Sequence, residues 1–476
     1  NRINANHIDE LLHPTINSKD KTIFNPITFG LPAGPGSAVG QIVFDAGKAE
    51  EMHKDGRSII LIREETSPEE IRGMFVANAI LTSRGGMTSH AALVARGWGK
   101  CCIVGAKEIK INIKKGVCLI NKKKYSEMDW FTLNGSEGAV YDQKLTLIKP
   151  VLNKNKEFTQ LMTWCHKYNK VSIRTNADQP NDVLQAKILG AKGIGLCRTE
   201  HMFFNSKRIH EVRKMIISDN KNLRKKSIFN LLKFQKKDFY QILKTMSPYP
   251  VTIRLLDPPL HEFLPHEKAH IKLIAQDLNV SIKKIEQRID NLKELNPMLG
   301  HRGCRLGITL PELTTMQAEA IFEAAHKLYK ENIKTKPEIM IPFISTEKEF
   351  INQRNLIDDV ANKINKKYHY SLSYLVGTMI ELPRACFVAD KIAKHADFLS
   401  FGTNDLTQTT FGFSRDDVGS FLPYYLENNI LQFDPFSTLD NRGVGMLIKI
   451  AVKKARNVNP KIKIGICGEH GGDPCS

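Results

Sequence analysis

The 476-residue sequence has no run of about 18 uncharged apolar residues, which is the length that a transmembrane helix requires. It has no pair of cysteines at zinc-binding spacing, and its nine cysteines are scattered apart from the adjacent Cys101 and Cys102. These absences argue against a membrane-spanning protein, a structural zinc site and a disulfide-stabilised secreted domain. We therefore expect reduced thiols and a cytoplasmic location.

The sequence also lacks the features that usually accompany a basic nucleic-acid-binding surface. Its formal net charge is +19, but aromatic residues do not alternate with the basic ones and no nucleic-acid recognition motif is present. The lysines are spread through stretches such as NLRKKSIFNLLKFQKK, a pattern typical of solvated helix faces. We expect no nucleic-acid partner, and a basic surface would instead attract anionic substrates to a cleft.

With 42% hydrophobic and 25% charged residues, the chain is long enough for two or three globular domains. The pattern predicts a linker over residues 1–28, a β-rich α/β domain over 29–145, a second linker over 146–169 and a second α/β domain over 170–476. Because the first residue is Asn rather than Met, we expect the chain to be a processed or excised piece.

In the second α/β domain, short apolar strands alternate with helical stretches, which predicts a parallel sheet covered on both faces. The predicted strands are VSIRTNA, GIGLCRTE, VTIRLLD, EIMIPFI, LVGTMIE, FLSFGTND and IKIGICGE. Nearly every strand ends in a polar residue, as expected of a (β/α)8 barrel, whose active site lies at the carboxyl ends of its strands. A doubly wound open sheet is the alternative, disfavoured because no GxGxxG fingerprint follows a strand. Since only seven good strands can be counted, we expect the barrel to stop before its last strand.

The stretch SRGGMTSHAALVARGWGK places a histidine directly after a glycine turn, at the start of a predicted helix. Gly85 and Gly86 allow a tight turn, and Thr88 or Ser89 would cap the helix. His90 would then lie in the first turn, where free backbone N–H groups and the helix dipole favour an anion. The residue is either an ordinary histidine of a helix start or a surface histidine that accepts a phosphoryl group.

Two carboxylates follow predicted strands of the barrel. Glu381 ends GTMIE, and Asp405 ends FGTND. Two carboxylates on one barrel face suit an octahedral Mg²⁺ site that water and substrate oxygens complete. The alternative is a pair of loop carboxylates that form salt bridges with nearby arginines.

Five arginines lie at or after the ends of predicted strands. Arg198 and Arg254 end successive strands, and Arg302, Arg305 and Arg415 lie in the loops that follow. Guanidinium groups bind phosphate and carboxylate through two parallel hydrogen bonds. The pattern indicates a small polyanionic substrate, with salt bridging between helices and sheet as the alternative.

Long stretches of the chain resemble the phosphoenolpyruvate (PEP)-utilising enzymes. These stretches are GGMTSHAALVARGWGKCC, GIGLCRTEHMFF, TIRLLDPPLHEFLP, NPMLGHRGCRLG, GTMIELPRA, FGTNDLTQTTFGFSRDD and GICGEHGG. Within that family, CRTEHMFF and DPPLHEFLP are most similar to the pyruvate, phosphate dikinase branch. PEP synthase and enzyme I of the sugar phosphotransferase system share the outline and are the alternatives.

The resemblance implies a swivelling phosphohistidine domain followed by a PEP- and pyruvate-binding barrel of the TIM type. It implies that His90 is the phosphocarrier, that Thr88 matches a regulatory phosphorylation site, and that Glu381 and Asp405 are the ligands of Mg²⁺. The residues implied to bind substrate are Arg198, Arg254, Arg302, Gly402, Thr403, Asn404 and Arg415.

The implied reaction interconverts pyruvate and PEP through phosphohistidine, and the intact enzyme would convert ATP, phosphate and pyruvate to AMP, diphosphate and PEP. ATP and phosphate would bind only through an amino-terminal region outside this chain, and a homodimer would form through the barrel. The resemblance also implies a proton-transferring cysteine at the end of the last barrel strand. Cys467 lies within a predicted strand and Cys475 lacks the matching motif, so neither receives this role. We therefore expect the chain alone to be partly active or inactive.

Overall fold

A computed structural model of the chain describes residues 12–67, 70–86, 89–150, 156–203, 206–265, 268–294, 296–415 and 417–476. The chain forms two compact units, Asn1–Lys167 and Tyr168–Ser476. Within the described ranges, every helix is either too short or too polar to cross a membrane.

The amino-terminal unit is rich in short strands. They are β1 (Thr15–Ile16), β2 (Thr28–Phe29), β3 (Leu31–Gly34), β4 (Ser37–Val43), β5 (Ile59–Arg63), β6 (Ala79–Thr82), β7 (Cys101–Val104), β8 (Ile109–Asn112), β9 (Val117–Ile120), β10 (Lys123–Ser126), β11 (Trp130–Asn134), β12 (Ala139–Tyr141) and β13 (Leu147–Ile148). Its helices are α1 (Ser18–Ile23), α2 (Ala46–Lys54), α3 (Ile71–Val76), α4 (His90–Gly97) and α5 (Lys156–Tyr168), the last of which reaches the start of the next unit.

Eight of these strands form one mixed sheet in the order β2-β12-β11-β4-β5-β6-β7-β3. Its central strands are parallel and almost entirely apolar. In β5, Ile60 and Ile62 belong to one buried cluster, whereas Ile59 and Leu61 belong to another. Because successive side chains of a strand point to opposite faces, the run IILI fills a core on each side of the sheet. The predicted β-rich α/β architecture is confirmed.

Helix α4 begins at His90, as the sequence predicts. The Ser89 hydroxyl accepts a hydrogen bond from the backbone N–H of Ala92 at 3.4 Å, so Ser89 caps the helix. Gly85 has a φ of +97°, in the left-handed region that favours glycine, which explains the glycine before this turn. Thr88 and the side chain of His90 lie outside the described part of the structure.

The carboxy-terminal unit contains seven strands within its described residues. They are β14 (Thr175–Asn176), β15 (Ile194–Arg198), β16 (Pro250–Arg254), β17 (Lys336–Ile341), β18 (Leu375–Ile380), β19 (Phe398–Gly402) and β20 (Lys463–Cys467). Each corresponds to one of the seven strands predicted from the sequence. The stretch NPMLGHRGCRLGI is a loop followed by the start of a helix, as its proline and glycines indicate.

Helices cover this sheet. They are α6 (Pro180–Ile188), α7 (Ser206–Ile217), α8 (Lys221–Met246), α9 (Lys268–Leu278), α10 (Ile282–Leu292), α11 (Cys304–Thr309), α12 (Pro311–Lys330), α13 (Glu347–Tyr368), α14 (Pro383–Phe387), α15 (Ala389–Ala393), α16 (Thr403–Phe411), α17 (Leu422–Glu427) and α18 (Val444–Val458). The main core lies between the helices and the sheet, where apolar faces such as that of α12 meet the strands.

The strand order identifies the architecture. All seven strands pair in parallel and in chain order from β14 to β20. A doubly wound sheet reverses its strand order at a switch point, so that alternative is wrong. Sequential parallel strands with helices between them are instead the pattern of a (β/α) barrel, and the described residues supply seven of its strands.

One buried carboxylate connects the two edge strands near their amino ends. Glu338 in β17 accepts hydrogen bonds from Arg174 and Thr252, each at 2.7 Å, and pairs with Lys463. Arg174 directly precedes β14, and Lys463 begins β20. Burial by itself would raise the pKa of Glu338, but these donors hold it below its ordinary value. The Glu338 carboxylate therefore connects the two edge strands through the barrel interior, and both of its oxygens have partners.

Candidate functional site

A cleft of about 410 Å³ opens at the carboxyl ends of the barrel strands. Eight of the nine barrel residues that the resemblance singles out line it: Arg198, Arg254, Glu381, Gly402, Thr403, Asn404, Asp405 and Arg415. The ninth, Arg302, is bonded to Asp257 and Asp405 in the cleft wall. Arg305 instead donates to backbone carbonyls of its own loop and does not line the cleft.

Parallel register brings these residues together. Arg198 and Arg254 are the last residues of β15 and β16 and lie opposite each other in the ladder. Gly402 and Cys467, the last residues of β19 and β20, are likewise partners. Glu381 directly follows β18. Because parallel strands end at the same edge of a sheet, residues far apart in sequence share one cleft.

A buried network of alternating charge forms the floor of the cleft. Arg254 pairs with Glu200 and, at 2.9 Å, with Asp257, and Asp257 also accepts from Arg302 at 2.7 Å. Burial opposes ionisation, yet the paired charges hold the pKa of Asp257 below, and that of Arg254 above, the ordinary value. Nε of Arg254 and Oε2 of Glu200 are buried and have no partner among the described residues. The network is fixed in place but leaves polar atoms unsatisfied.

Glu381 and Asp405 provide the oxygen donors that a hard cation requires. Glu381 is fully buried, and its Oε1 accepts from the backbone N–H of Phe343 at 2.6 Å. Its Oε2 has no hydrogen-bond partner among the described residues. Burial, followed by the like charges of Asp257 and Asp405, raises the pKa of Glu381 well above its ordinary value. An unsatisfied buried carboxylate oxygen beside a second carboxylate fits a bound cation, which would remove this electrostatic cost.

Phe343 contacts both the acidic and the basic side of the cleft. Its backbone donates to Glu381, and its ring lies 4.5 Å from the guanidinium carbon of Arg302 and 4.7 Å from that of Arg305, in cation–π geometry. Its φ is +60°, which is rare for a bulky residue. The strained backbone thus aims an N–H at one candidate metal ligand while the ring supports a candidate substrate arginine.

Asp178 fixes the position of Arg198 through several hydrogen bonds. Its carboxylate accepts from the Arg198 backbone N–H at 2.7 Å, from Nε at 3.0 Å and from Nη2 at 2.8 Å, and it contacts Nδ1 of His201 at 2.8 Å. Although burial raises it, the pKa of Asp178 is held below its ordinary value by His201 and Arg198. A carboxylate that is ionised at neutral pH therefore orients the Arg198 guanidinium at the cleft.

A second chain of contacts links Asp405 to Arg415. Gln408 donates from Nε2 to Asp405 at 3.0 Å and accepts through Oε1 from the backbone N–H of Arg415 at 2.8 Å. The Arg415 guanidinium pairs with Glu469 at 2.7 Å, and both of these side chains are exposed at the cleft. An anionic ligand would therefore compete with Glu469 for Arg415.

This arrangement of arginines and carboxylates suits a small phosphorylated acid, and comparison with known proteins agrees. The chain matches the description "PEP-utilising enzyme, PEP-binding domain" over residues 153–476 and "PEP-utilising enzyme, mobile domain" over residues 56–138. The chain belongs to the PEP-utilising enzymes. The barrel described above lies within the first of these matches.

Its relatives include several plant dikinases. Over its whole length, the chain is 51% identical to pyruvate, phosphate dikinase 1, chloroplastic, of Arabidopsis thaliana, and covers 49% of that protein. It is 52% identical to the chloroplastic enzyme of Mesembryanthemum crystallinum and 50% identical to pyruvate, phosphate dikinase 2 of Zea mays, covering 50% and 54% of them. The chain thus spans about half the length of the curated relatives it matches.

In this member of the PEP-utilising enzymes, Cys467 lies in the cleft although the sequence analysis gave it no role. The sequence placed it inside a strand, and the structure confirms this: it is the last residue of β20, where it lines the cleft. Its thiol is buried and contacts Ser400 Oγ at 3.6 Å and the carbonyl of Phe401 at 3.4 Å. Burial raises its pKa to about 11. At neutral pH this side chain is therefore a thiol rather than a thiolate.

Glu200, Asp257 and Asp178 were also missed. Each is a buried carboxylate that pairs with an arginine of the cleft. Glu200 and Asp257 lie two or three residues beyond the strand-ending arginines in RTE and RLLD, which is the signal that could have identified them. Asp178 directly follows the predicted strand VSIRTNA, and this position at a strand end could have identified it in the same way.

Proposed function

We propose that the chain transfers the phosphoryl group between PEP and His90, with pyruvate as the other product, as one half of a pyruvate, phosphate dikinase reaction. The observation that carries this proposal is the cleft, where a set of arginines and two carboxylates converge on a space that fits one small polyanion. The identity to plant dikinases over the full chain supports the same assignment.

The arginines would bind the anionic groups of PEP. Arg254 and Arg302 are buried and held by Asp257, and Arg198 is held by Asp178. Guanidinium groups fixed in advance stabilise charge that moves from the phosphoryl group to the enolate oxygen. Gly402, Thr403 and Asn404 lie at the amino end of α16 and would contact the substrate phosphate, with Arg415 at the outer edge of the cleft.

Glu381 and Asp405 would hold Mg²⁺, with water and substrate oxygens as its remaining ligands. The described residues contain no group of three or more His, Cys, Asp or Glu side chains arranged around one point, so the protein would supply only these two carboxylates. The cation, when bound, would neutralise charge on the phosphoryl and enolate oxygens. Gln408 and Arg302 fix the orientation of Asp405, and Phe343 fixes that of Glu381.

The sequence analysis gave Cys467 no role, because the resemblance implies a cysteine on a barrel strand after β20. Since the Cys467 thiol lines the cleft, it is our candidate for the proton that completes pyruvate. As the P–O bond of PEP breaks and an N–P bond forms at His90, the electron pair remains on the enolate of pyruvate. The Cys467 thiol then gives its proton to C3 of the enolate, and the thiolate takes it back in the reverse direction. A pKa raised to about 11 keeps the thiol protonated until this step.

His90 would receive the phosphoryl group at the start of α4, where backbone N–H groups and the helix dipole favour an anion. Thr88, two residues earlier, is the candidate regulatory phosphorylation site that the resemblance implies. Transfer would use the amino-terminal unit as a mobile carrier.

The first experiment is mass spectrometry of the purified 476-residue chain before and after incubation with Mg²⁺ and PEP. We expect an acid-labile mass gain of one phosphoryl group, and formation of pyruvate. His90→Ala should abolish the gain, and His53→Ala, at an exposed histidine of α2, should not change it. A gain that persists in His90→Ala would contradict the carrier assignment, and absence of any gain in the wild type would contradict transfer by this chain.

The remaining partners are part of the same proposal. ATP and phosphate would be substrates of the longer enzyme, and the barrel would form a homodimer, which sedimentation analysis of the chain can test. The Arabidopsis and Mesembryanthemum relatives are named chloroplastic. The cytoplasmic location proposed for this protein derives from its reduced cysteines alone, and cell fractionation distinguishes the two.

A further inference from the structure

His470 is a buried histidine that neither the sequence analysis nor the mechanism uses. It lies in the short 3₁₀ turn Glu469–Gly472 that follows β20, and it is 3% exposed. Nδ1 lies 2.8 Å from the hydroxyl of Thr403, and Nε2 lies 2.9 Å from the carbonyl oxygen of Pro435. Both ring nitrogens are therefore engaged, one of them by the first residue of α16.

The chemistry of these partners fixes the tautomer. A carbonyl oxygen can only accept a hydrogen bond, so Nε2 must carry a hydrogen and donate it to Pro435. In the neutral ring Nδ1 is then an acceptor, and the Thr403 hydroxyl must be the donor. The other acceptor near this hydroxyl is the carbonyl oxygen of Cys467, at 3.3 Å. The Thr403 hydroxyl is thus held by the Cys467 carbonyl at the end of β20 and by His470 in the turn after it.

A glycine before His470 allows the turn to approach Thr403 closely. Gly468 has a φ of +107°, and a Cβ atom placed there would lie 2.7 Å from the Thr403 hydroxyl oxygen. A side chain at this position would therefore displace either the turn or the start of α16. Thr403 itself is fully buried, so its hydroxyl has no solvent partner that could replace the histidine.

We propose that His470 is a positioning residue that sets the first turn of α16 against the cleft. That turn contains Thr403, Asn404 and Asp405, which are the proposed substrate-phosphate contacts and metal ligand. Since Pro435 lies on the segment between α16 and α18, the same ring also attaches this segment to the site. The proposal rests on the proposed function, because it assigns the turn to PEP binding.

The expected effect is on substrate binding rather than on the maximal rate. Contacts to the phosphate exist in both the ground state and the transition state, so loosening them raises the half-saturating PEP concentration without lowering the plateau. Losing hydrogen bonds of this kind corresponds to a change of about three- to tenfold. We therefore expect His470→Phe to raise half-saturation by about that factor, with a plateau rate within about twofold of the wild type.

Substitutions that keep or remove single contacts separate positioning from packing. Gln can accept from Thr403 through its oxygen and donate to Pro435 through its nitrogen, so His470→Gln should restore most of the wild-type half-saturation. Thr403→Val also removes a proposed substrate contact, so it should raise half-saturation at least as much as His470→Phe. The double variant should be no worse than Thr403→Val alone, because both changes remove the same hydrogen bond between Thr403 and His470.

The matched control is His326→Phe. His326 is as deeply buried, 1% exposed, and contacts Asn365 at 3.3 Å between α12 and α13, away from the cleft. Its replacement should lower thermal stability to a similar degree without changing half-saturation. If Phe and Gln at position 470 behave alike, or if His326→Phe shifts half-saturation equally, the positioning role is wrong. Should His470→Phe fail to fold, His470→Gln and Thr403→Val still decide the question.

The assay is single-turnover phosphorylation of the full 476-residue chain over a range of PEP concentrations, together with calorimetric titration of PEP in the presence of Mg²⁺. If the wild type binds PEP but transfers nothing, the proposed function fails, and a binding constant weakened in His470→Phe still supports positioning. If the wild type neither binds nor transfers, both proposals are overturned. Transfer with equal binding by wild type and variants overturns positioning alone.

Discussion

The buried carboxylates at the two ends of the barrel interior differ in whether their oxygens have hydrogen-bond partners. Near the amino ends of the strands, Glu338 has a partner for each of its oxygens, and its pKa lies below the ordinary value. At the carboxyl ends, Glu381 keeps a buried oxygen without a partner among the described residues, and its pKa lies well above the ordinary value. The first arrangement stabilises the fold, whereas the second bears an electrostatic cost that a ligand would remove.

Replacing the carboxylate at the amino ends should cause the largest loss of stability. Glu338→Gln leaves the partly exposed cations Arg174 and Lys463 without a counter-charge. We therefore expect the free energy of unfolding to fall by about 1.5–3 kcal/mol, the range for hydrogen bonds to charged groups. Urea unfolding followed by circular dichroism measures this change. The control is Glu286→Gln, at an exposed carboxylate of α10, which should change stability little. An equally small effect at Glu338 would contradict its structural role.

The same variant has a defined pH dependence. The pKa of Glu338 is lowered in the folded state from 4.5, so its stabilising contribution is complete above the unfolded-state value of 4.5 and is lost as pH falls through the lower folded-state value. The stability difference between wild type and Glu338→Gln should therefore be constant above about pH 5 and shrink in more acidic solution. A difference that grows on acidification would contradict this assignment.

Replacing the carboxylate at the carboxyl ends should have the reverse outcome. Glu381→Gln preserves the acceptor for the Phe343 N–H and removes a buried, unsatisfied charge, so stability should be unchanged or higher. PEP-dependent phosphorylation should fall by at least about 100-fold, because electrostatic groups of an active site contribute on this scale. If Glu381→Gln lowers the free energy of unfolding as much as Glu338→Gln does, the proposed difference between the two carboxylates is wrong.

A smaller effect is expected at Asp178, which supports the cleft from outside it. Asp178→Asn removes the charge that orients Arg198, and hydrogen bonds to charged groups contribute enough for about a tenfold rise in half-saturating PEP. The Arg198→Lys variant should already have lost this interaction. Adding Asp178→Asn to it should therefore cause little further change, and a fully additive double variant would contradict the positioning of Arg198 by Asp178.

The smallest effect should improve binding. Glu469 competes with substrate for Arg415 across an exposed ion pair, and such pairs are weak. Glu469→Gln should therefore lower half-saturating PEP by about two- to threefold, most clearly at low salt. Glu427→Gln, at an exposed carboxylate of α17, is the control. If Glu469→Gln weakens binding, then Glu469 supports the site rather than competing for Arg415.

Local sequence was sufficient to predict the strands of the barrel and the polar residues at their carboxyl ends. Seven apolar runs bounded by polar residues predicted seven strands, and each is present. Burial on both faces of a parallel sheet demands continuous apolar runs, so the chemical pattern of each strand was visible without its neighbours. The helix that begins at His90 was visible for a similar reason, because its glycines, its capping hydroxyl and its apolar residues are all local signals.

Contacts between distant residues were not visible in this way. That Asp257 would serve both Arg254 and Arg302, or that Asp178 would hold Arg198, depends on the distance between strand ends after the sheet has formed. The place of Cys467 in the cleft was not visible for the same reason. Cys467 is the last residue of β20, and its thiol reaches the cleft because the neighbouring strands end at the same edge of the sheet.

The sequence by itself determined which segments become strands and helices and which residue types stand at the strand ends, because these depend on hydrophobic periodicity and local capping. Only the tertiary structure decided which buried charges are satisfied and which are not. Glu338 lies within one apolar strand and Glu381 directly follows another, yet of these two glutamates only Glu381 keeps a buried oxygen without a partner among the described residues. The reason is that a carboxylate's partners come from other strands, at distances that exist only once the barrel has formed.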